Sequence, residues 1–135
     1  MIVIYHNPRC GTSRNVLAAL EAIGAAPVVV EYLQTGWTRA QLLGLFAAAD
    51  VTVREALRIK DTPAEKLGLL DPAMDDEALL AAMVEHPVLV NRPFVCAPKG
   101  VRLCRPSERL LELVDVPEGV TLNKEDGSPL LAAKG

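Results

Sequence analysis

An α/β fold built on a mixed four-stranded sheet follows from three features of the sequence. The first 33 residues give strand, helix and strand signals in turn. The middle of the chain carries apolar residues at helical spacing. Between Val88 and Cys104 short β-rich runs return, followed by a helical segment opened by Pro106.

The elements read in order as follows. Ile2-Val3-Ile4-Tyr5 is a short β-rich run ending at the polar turn His6-Asn7-Pro8-Arg9. Val16, Leu17, Leu20 and Ile23 then recur at helical spacing, and Gly24 stops that helix. Val28-Val29-Val30-Glu31-Tyr32-Leu33 is a second strand, parallel to the first because a helix connects them. Thr38 caps a helix to about Ala49, with Leu42, Leu43, Leu45 and Phe46 on its apolar face. Residues 53–57 and 63–67 predict two short helices, and Asp75 caps another to about Glu85. Val88-Leu89-Val90 and Phe94-Val95-Cys96-Ala97 predict an antiparallel hairpin or one bent, continued strand, Pro98-Lys99-Gly100 is a turn, and Val101-Arg102-Leu103-Cys104 is a candidate further short strand. Pro106 opens a last helix to about Val114. This is the plan of a thioredoxin-like (glutaredoxin-like) fold, with a helical insertion between the second and third strands. A single domain over 1–135 is expected, with a loosely ordered tail from about 118 to 135.

Composition narrows the function. A chain of 135 residues, half of them hydrophobic, can bury a core without disulfides or metals. Aromatics are only 4%, so that core is aliphatic. The net charge of −3 argues against nucleic acid or an anionic membrane as a partner. The three cysteines, Cys10, Cys96 and Cys104, are widely spaced and form no C-x-x-C, which disfavours a disulfide framework or a metal site. No basic leader and no apolar run of ~20 residues is present, so a cytoplasmic protein with free thiols is expected.

Chemistry concentrates at His6-Asn7-Pro8-Arg9-Cys10-Gly11-Thr12-Ser13-Arg14-Asn15. Cys10 lies where the first strand turns into the first helix, next to unsatisfied N–H groups and the positive end of the helix dipole. Such surroundings favour the thiolate and can grip an oxyanion. Gly11, Thr12, Ser13 and Arg14 are therefore candidate substrate-binding residues, and His6 is a candidate to poise the thiolate by hydrogen bond or charge. Cys10-Gly11-Thr12-Ser13 has the form C-x-x-S, so the motif cannot close a disulfide on itself and needs an outside thiol.

Arg58, Arg92 and Arg105 stand at element boundaries, and each offers a planar, permanently charged fork for an oxyanion. A surface charge is the plainer reading of any one of them, and spacing alone does not make them converge. Pro93, after Arg92 and at a strand entry, is a candidate cis-proline. Cys96 reads as a buried inert thiol, Cys104 as a remoter redox candidate, and Trp37 as a surface or partly packed aromatic. Asp75-Asp76-Glu77 reads as helix-cap charge rather than a metal site.

Several strings together resemble the ArsC family of glutaredoxin-coupled arsenate reductases. They are Ile4-Tyr5-His6-Asn7-Pro8, Cys10-Gly11-Thr12-Ser13-Arg14-Asn15, Val53-Arg54 to Leu57-Arg58, His86 to Pro93, and Arg102-Leu103-Cys104-Arg105-Pro106-Ser107-Glu108. The likeness runs from residue 2 to about 115 and weakly on to Asn123-Lys124-Glu125-Asp126-Gly127. The resemblance implies that Cys10 attacks arsenate and that His6 helps keep it ionised. It implies that Arg58, Arg92 and Arg105 bind the oxyanion and its adduct, and that Pro93 is the family's cis-proline. It further implies glutathione as co-substrate, glutaredoxin as partner, no bound cofactor or metal, and a monomer. Two other readings stay open: an Spx-like regulator of transcription, which the missing second cysteine disfavours, and a general monothiol oxidoreductase.

Overall fold

The computed structural model describes residues 1–131. The chain divides into two compact units, one of Met1–Glu31 with Arg92–Gly135 and one of Tyr32–Asn91.

The first unit holds the sheet. Strand β1 (Val3–His6) pairs in parallel with β2 (Val28–Glu31), Val3 opposite Val28. On its other side β1 pairs antiparallel with β3 (Phe94–Ala97), which pairs antiparallel with β4 (Gly100–Leu103). The order β2-β1-β3-β4 is the mixed four-stranded sheet of a thioredoxin-like fold. Parallel strands need a crossover, and helix α1 (Gly11–Ala22) supplies it. Gly24, at φ +76°, closes α1: its N–H donates to Glu21 O and that of Ala25 to Leu20 O. The core is aliphatic as expected, with Ile4, Val16, Leu20, Val95, Cys104 and Leu110 fully enclosed.

The second unit is the helical insertion. It contains α2 (Tyr32–Thr35), α3 (Arg39–Ala49) and α4 (Asp76–Glu85). Thr38 and Gln41 form a reciprocal capping box at the start of α3, and the Asp75 carboxylate accepts from Ala78 N–H at the start of α4. The Arg54 guanidinium donates to the carbonyls of Leu69, Asp71 and Met74, holding the irregular stretch between α3 and α4.

Several expectations are corrected. The second strand ends at Glu31, because Tyr32 turns inward and begins α2. Val88-Leu89-Val90 is not a strand. Pro87–Leu89 is a 3₁₀ turn with proline at its start, and Val90 makes only an isolated bridge to Leu57. Residues 53–57 and 63–67 are turns rather than helices. The helix after Pro106 is a 3₁₀ helix, Ser107–Glu112. Trp37 is buried, stacks on Tyr32 at 5.0 Å between ring centroids, and donates from Nε1 to Pro87 O at 3.3 Å. The segment 118–131, read as a loose tail, buries Leu122 and Leu130 and forms a bridge between Asn123 and Pro129. Residues 132–135 of that expected tail lie outside the described residues. No helix among the described residues is long and apolar enough to cross a membrane.

Leu20 is fully enclosed between α1 and the sheet of its unit. Leu20→Ala should cost about 2–5 kcal/mol of stability, measured by urea denaturation, because the lost contacts leave a cavity.

Candidate active site

The site begins at the end of β1, where the chain must leave the sheet and enter α1 within four residues. Asn7 organises that turn. Its carbonyl accepts from Cys10 N–H at 3.0 Å, and its side-chain Oδ1 accepts from Arg9 N–H at 2.9 Å. Asparagine favours such side-chain-to-backbone turns, and the Asn7-Pro8 pair is the local signal for this one. Cys10 keeps extended backbone angles (φ −98°, ψ 120°) as the N-cap of α1, and its carbonyl accepts the first helical bond, from Arg14 N–H at 2.9 Å.

Opposing forces set the charge of Cys10. Burial is the largest effect and pushes the thiol up. Against it act the Ser13 amide at the third helical position, hydrogen bonds from Arg92 and Arg105, and the charge of Arg92. Arg105 Nη1 lies 3.5 Å from Cys10 Sγ and also donates to the Arg92 carbonyl at 3.1 Å. The cationic and amide donors win together: the thiol falls from 9.0 to about 7. The sulfur is not a geometric side-chain cap of α1, so the Ser13 amide acts on the thiolate as a nearby dipole rather than as a closed capping bond.

The other two thiols stand apart from this chemistry. Burial drives Cys104 up to about 12. Burial also raises Cys96, which lies on β3 and is half-buried. The possible redox role of Cys104 therefore has no thiolate behind it near neutrality.

His6 requires a correction. Its ring is buried, and that burial is the largest cause of a pKa lowered from 6.5, opposed by Glu31 and reinforced by Arg14. A neutral imidazole cannot poise Cys10 by charge. Its Nδ1 instead shares a 2.6 Å hydrogen bond with Ser13 Oγ, which also accepts from Asn7 N–H at 3.0 Å. His6 is thereby tied to Ser13 and, through the same hydroxyl, to the Asn7 N–H.

Ser13 is corrected by the same geometry. Its hydroxyl is fully buried in that bridge, and its contribution toward the sulfur is the backbone amide. Arg14 is exposed, pairs with Glu125 and donates to Pro8 O at 2.9 Å. A Cβ at Gly11 would meet only ordinary contacts, at 3.6 Å from Arg14 Nη2 and 3.8 Å from Glu125 Oε2, so no close approach within the chain demands this glycine. Thr12 is half-buried at the second helical position. The Arg92-Pro93 bond is cis, and so is Arg105-Pro106, which nothing in the sequence reading anticipated. Arg58 belongs to the second unit, where its N–H donates to Leu89 O at 2.7 Å. Asn7, read only as part of a motif, emerges as the residue that shapes the loop.

Alkylation of Cys10 by iodoacetamide, followed on its own peptide, should rise with pH through a midpoint of about 7. The thiolate is present above that midpoint and lost below it. Arg105→Met removes a cation from the sulfur and should move the midpoint upward. A midpoint near the free-thiol value of about 8.5 in the parent chain would contradict the geometry. Ser13→Ala strips a buried acceptor from Asn7 N–H and should cost about 1–3 kcal/mol in urea denaturation.

The family model described as ArsC family matches residues 5–113. The chain is 58% identical to an arsenate reductase of Synechocystis sp. (ArsI2), over all of this chain and 96% of that protein. It is 43% identical to the arsenate reductase of Escherichia coli (strain K12), over 99% of this chain and 95% of that one. Among solved structures, the arsenate reductase from Vibrio cholerae superposes with a TM-score of 0.78 at 42% identity, covering 84% of this chain and 97% of that one. The matched span runs from β1 through the 3₁₀ helix after Arg105, and so contains Cys10, Arg92 and Arg105 within one family pattern: the chain belongs to the ArsC family.

Proposed function

We propose that the protein is a cytoplasmic, monomeric arsenate reductase that draws its electrons from glutathione and glutaredoxin. The observation that carries the reading is a thiol at the N-cap position of α1 with a pKa near 7, 3.5 Å from a guanidinium, in a member of the ArsC family. Relatives at 43–58% identity over essentially the whole chain are named arsenate reductases, which supports arsenate as the substrate.

The chemistry follows from the groups present. Arsenate carries negative charge, so a thiolate approaches it only where cations offset the repulsion. Arg92 and Arg105 offer that charge beside the sulfur. The Cys10 thiolate attacks arsenic, an As–S bond forms, and one As–O bond breaks with its oxygen leaving as water. Taking As(V) to As(III) needs two electrons, which the oxidation of two thiols to one disulfide supplies. Cys10 has no second cysteine in its motif, and Cys104 is held protonated by burial, so the two thiols come from outside. Glutathione forms a second As–S bond as another arsenate oxygen leaves as water. A glutaredoxin thiolate then attacks the glutathione sulfur, and the As–S bond to it breaks. The two sulfurs leave as a mixed disulfide, and the electron pair stays on arsenic. Hydrolysis then releases arsenite and frees Cys10. Thiols carry all the electrons, so the scheme calls for no metal or bound organic cofactor. We extend the oxyanion-binding role to Arg58 on the resemblance of its Leu57-Arg58 motif.

An NADPH-coupled assay with arsenate, glutathione and glutaredoxin should show turnover that Cys10→Ser abolishes while urea stability is retained. Arg58→Met should lower kcat/KM for arsenate by about tenfold or more, the scale of one lost charge-assisted contact, without moving the alkylation midpoint of Cys10. Turnover by the serine variant at the parent rate would overturn the scheme. A parent chain that reduces mixed disulfides but not arsenate would point to a general monothiol oxidoreductase.

A further inference from the structure

The string Asn123-Lys124-Glu125-Asp126-Gly127 has no part in the scheme above, yet the fold brings it to both halves of the reacting pair. It lies at the tip of a hairpin, residues 122–130, whose arms are anchored by Leu122 and Leu130 in the core of the first unit. Leu130 N–H donates to Leu122 O at 2.9 Å, and Lys124 N–H to Ser128 O at 2.8 Å. Gly127, at φ +86°, makes the turn and donates to Lys124 O, and Asp126 Oδ1 accepts from Ser128 N–H at 2.8 Å. The tip is therefore fixed by its own bonds.

Lys124 ends the arm and Glu125 enters the turn closed by Gly127 N–H, and their side chains reach different elements. Glu125 grips the nucleophile loop. Its carboxylate binds Arg14 with both oxygens, at 2.5 Å from Nε and 3.1 Å from Nη2. Its N–H donates to Asn15 Oδ1 at 2.9 Å, and Arg14 passes the restraint on to Pro8 O, two residues before Cys10. Lys124 grips the other side. Its Nζ lies 2.5 Å from Glu108 Oε1, which also accepts from Ser107 Oγ at 3.3 Å. Ser107 follows Arg105 and Pro106 and is buried.

We propose that hairpin 122–130 is a clasp that sets the separation of the Cys10 loop and the Arg105 turn, with Lys124 and Glu125 as its positioning residues. The inference takes from the preceding section only that Cys10 and Arg105 form the reacting pair. Exposed ion pairs contribute little to stability, about 0.2–1 kcal/mol each. The value of these two lies in geometry, because a small misplacement of a charge at a reacting atom is costly in rate. Arg105 holds the thiolate from one side, the Ser13 amide and Arg92 from others, and only the Arg105 turn and the α1 loop are tied by the hairpin.

The test needs no arsenate. Cys10 is alkylated with iodoacetate, an anion, and with iodoacetamide, a neutral reagent, well above pH 7. The ratio of the two rates reads the cationic field at the sulfur. In the full chain, Lys124→Met with Glu125→Gln should lower that ratio by about threefold or more and raise the iodoacetamide midpoint, while the urea midpoint stays nearly fixed. Lys124→Arg should keep the parent ratio, and the reversed pair Lys124→Glu with Glu108→Lys should restore most of it. An unchanged ratio and midpoint in the double variant would overturn the clasp. Should the double variant not fold, each single variant decides the same question by the same ratio. A parent chain without arsenate turnover would remove the function proposed above and leave this result standing.

Discussion

Everything at this site depends on keeping a thiolate in a partly buried place. Burial alone would push Cys10 toward the protonated form, and burial is the largest single influence on it. The anion persists because amide and guanidinium donors converge on one sulfur: the Ser13 N–H, Arg92 and Arg105. None of these comes from the same stretch of chain as another. The amide needs α1 to start at Gly11, Arg92 needs the entry to β3, and Arg105 needs the exit from β4. The sheet order β2-β1-β3-β4 brings those ends together, since β1 and β3 are neighbours and β4 flanks β3. The fold is thus the device that makes the charge tolerable.

A second layer of residues never touches the sulfur but fixes what does. Ser13 Oγ joins the His6 ring to the Asn7 amide, so the strand end and the first helical turn share one buried bridge. Keeping His6 neutral suits this role. A charged ring there would be a buried cation beside the positive charge of Arg14, with the desolvation cost that entails. Neutral parts carry the shape, and permanently charged arginines carry the field.

Local signals made half of this legible in the sequence. Thr38 and Asp75 announced their helices because a cap needs only its own side chain and the next turn. Cys10 was legible for the same reason: strand, turn and helix lie within ten residues of it. Elements held from afar were not legible. Val88-Leu89-Val90 has strand composition, but Pro87 starts a 3₁₀ turn and only Val90 finds a bridging partner. The stretch after α3 has helical spacing but no regular helix, because Arg54 satisfies its carbonyls through a side chain. The C-x-x-S pattern gave the identity of Ser13 but not its inward orientation, since a motif fixes residue type and not rotamer. Arg92 and Arg105 were legible as arginines at element boundaries, but their meeting at the sulfur is a long-range fact. The hairpin after residue 118 was missed because its polar tip hides two apolar anchors, Leu122 and Leu130.

The chain has one tryptophan, and it is sealed inside the insertion, stacked on Tyr32 with its indole N–H given to Pro87. No tryptophan lies in the unit that carries Cys10. Intrinsic fluorescence excited at the red edge of protein absorption is therefore a private optical channel for Tyr32–Asn91. Thiol chemistry at Cys10 is an equally private channel for the other unit. Loosening of the insertion and loosening of the nucleophile loop can be timed against each other in one sample, without adding a label to either.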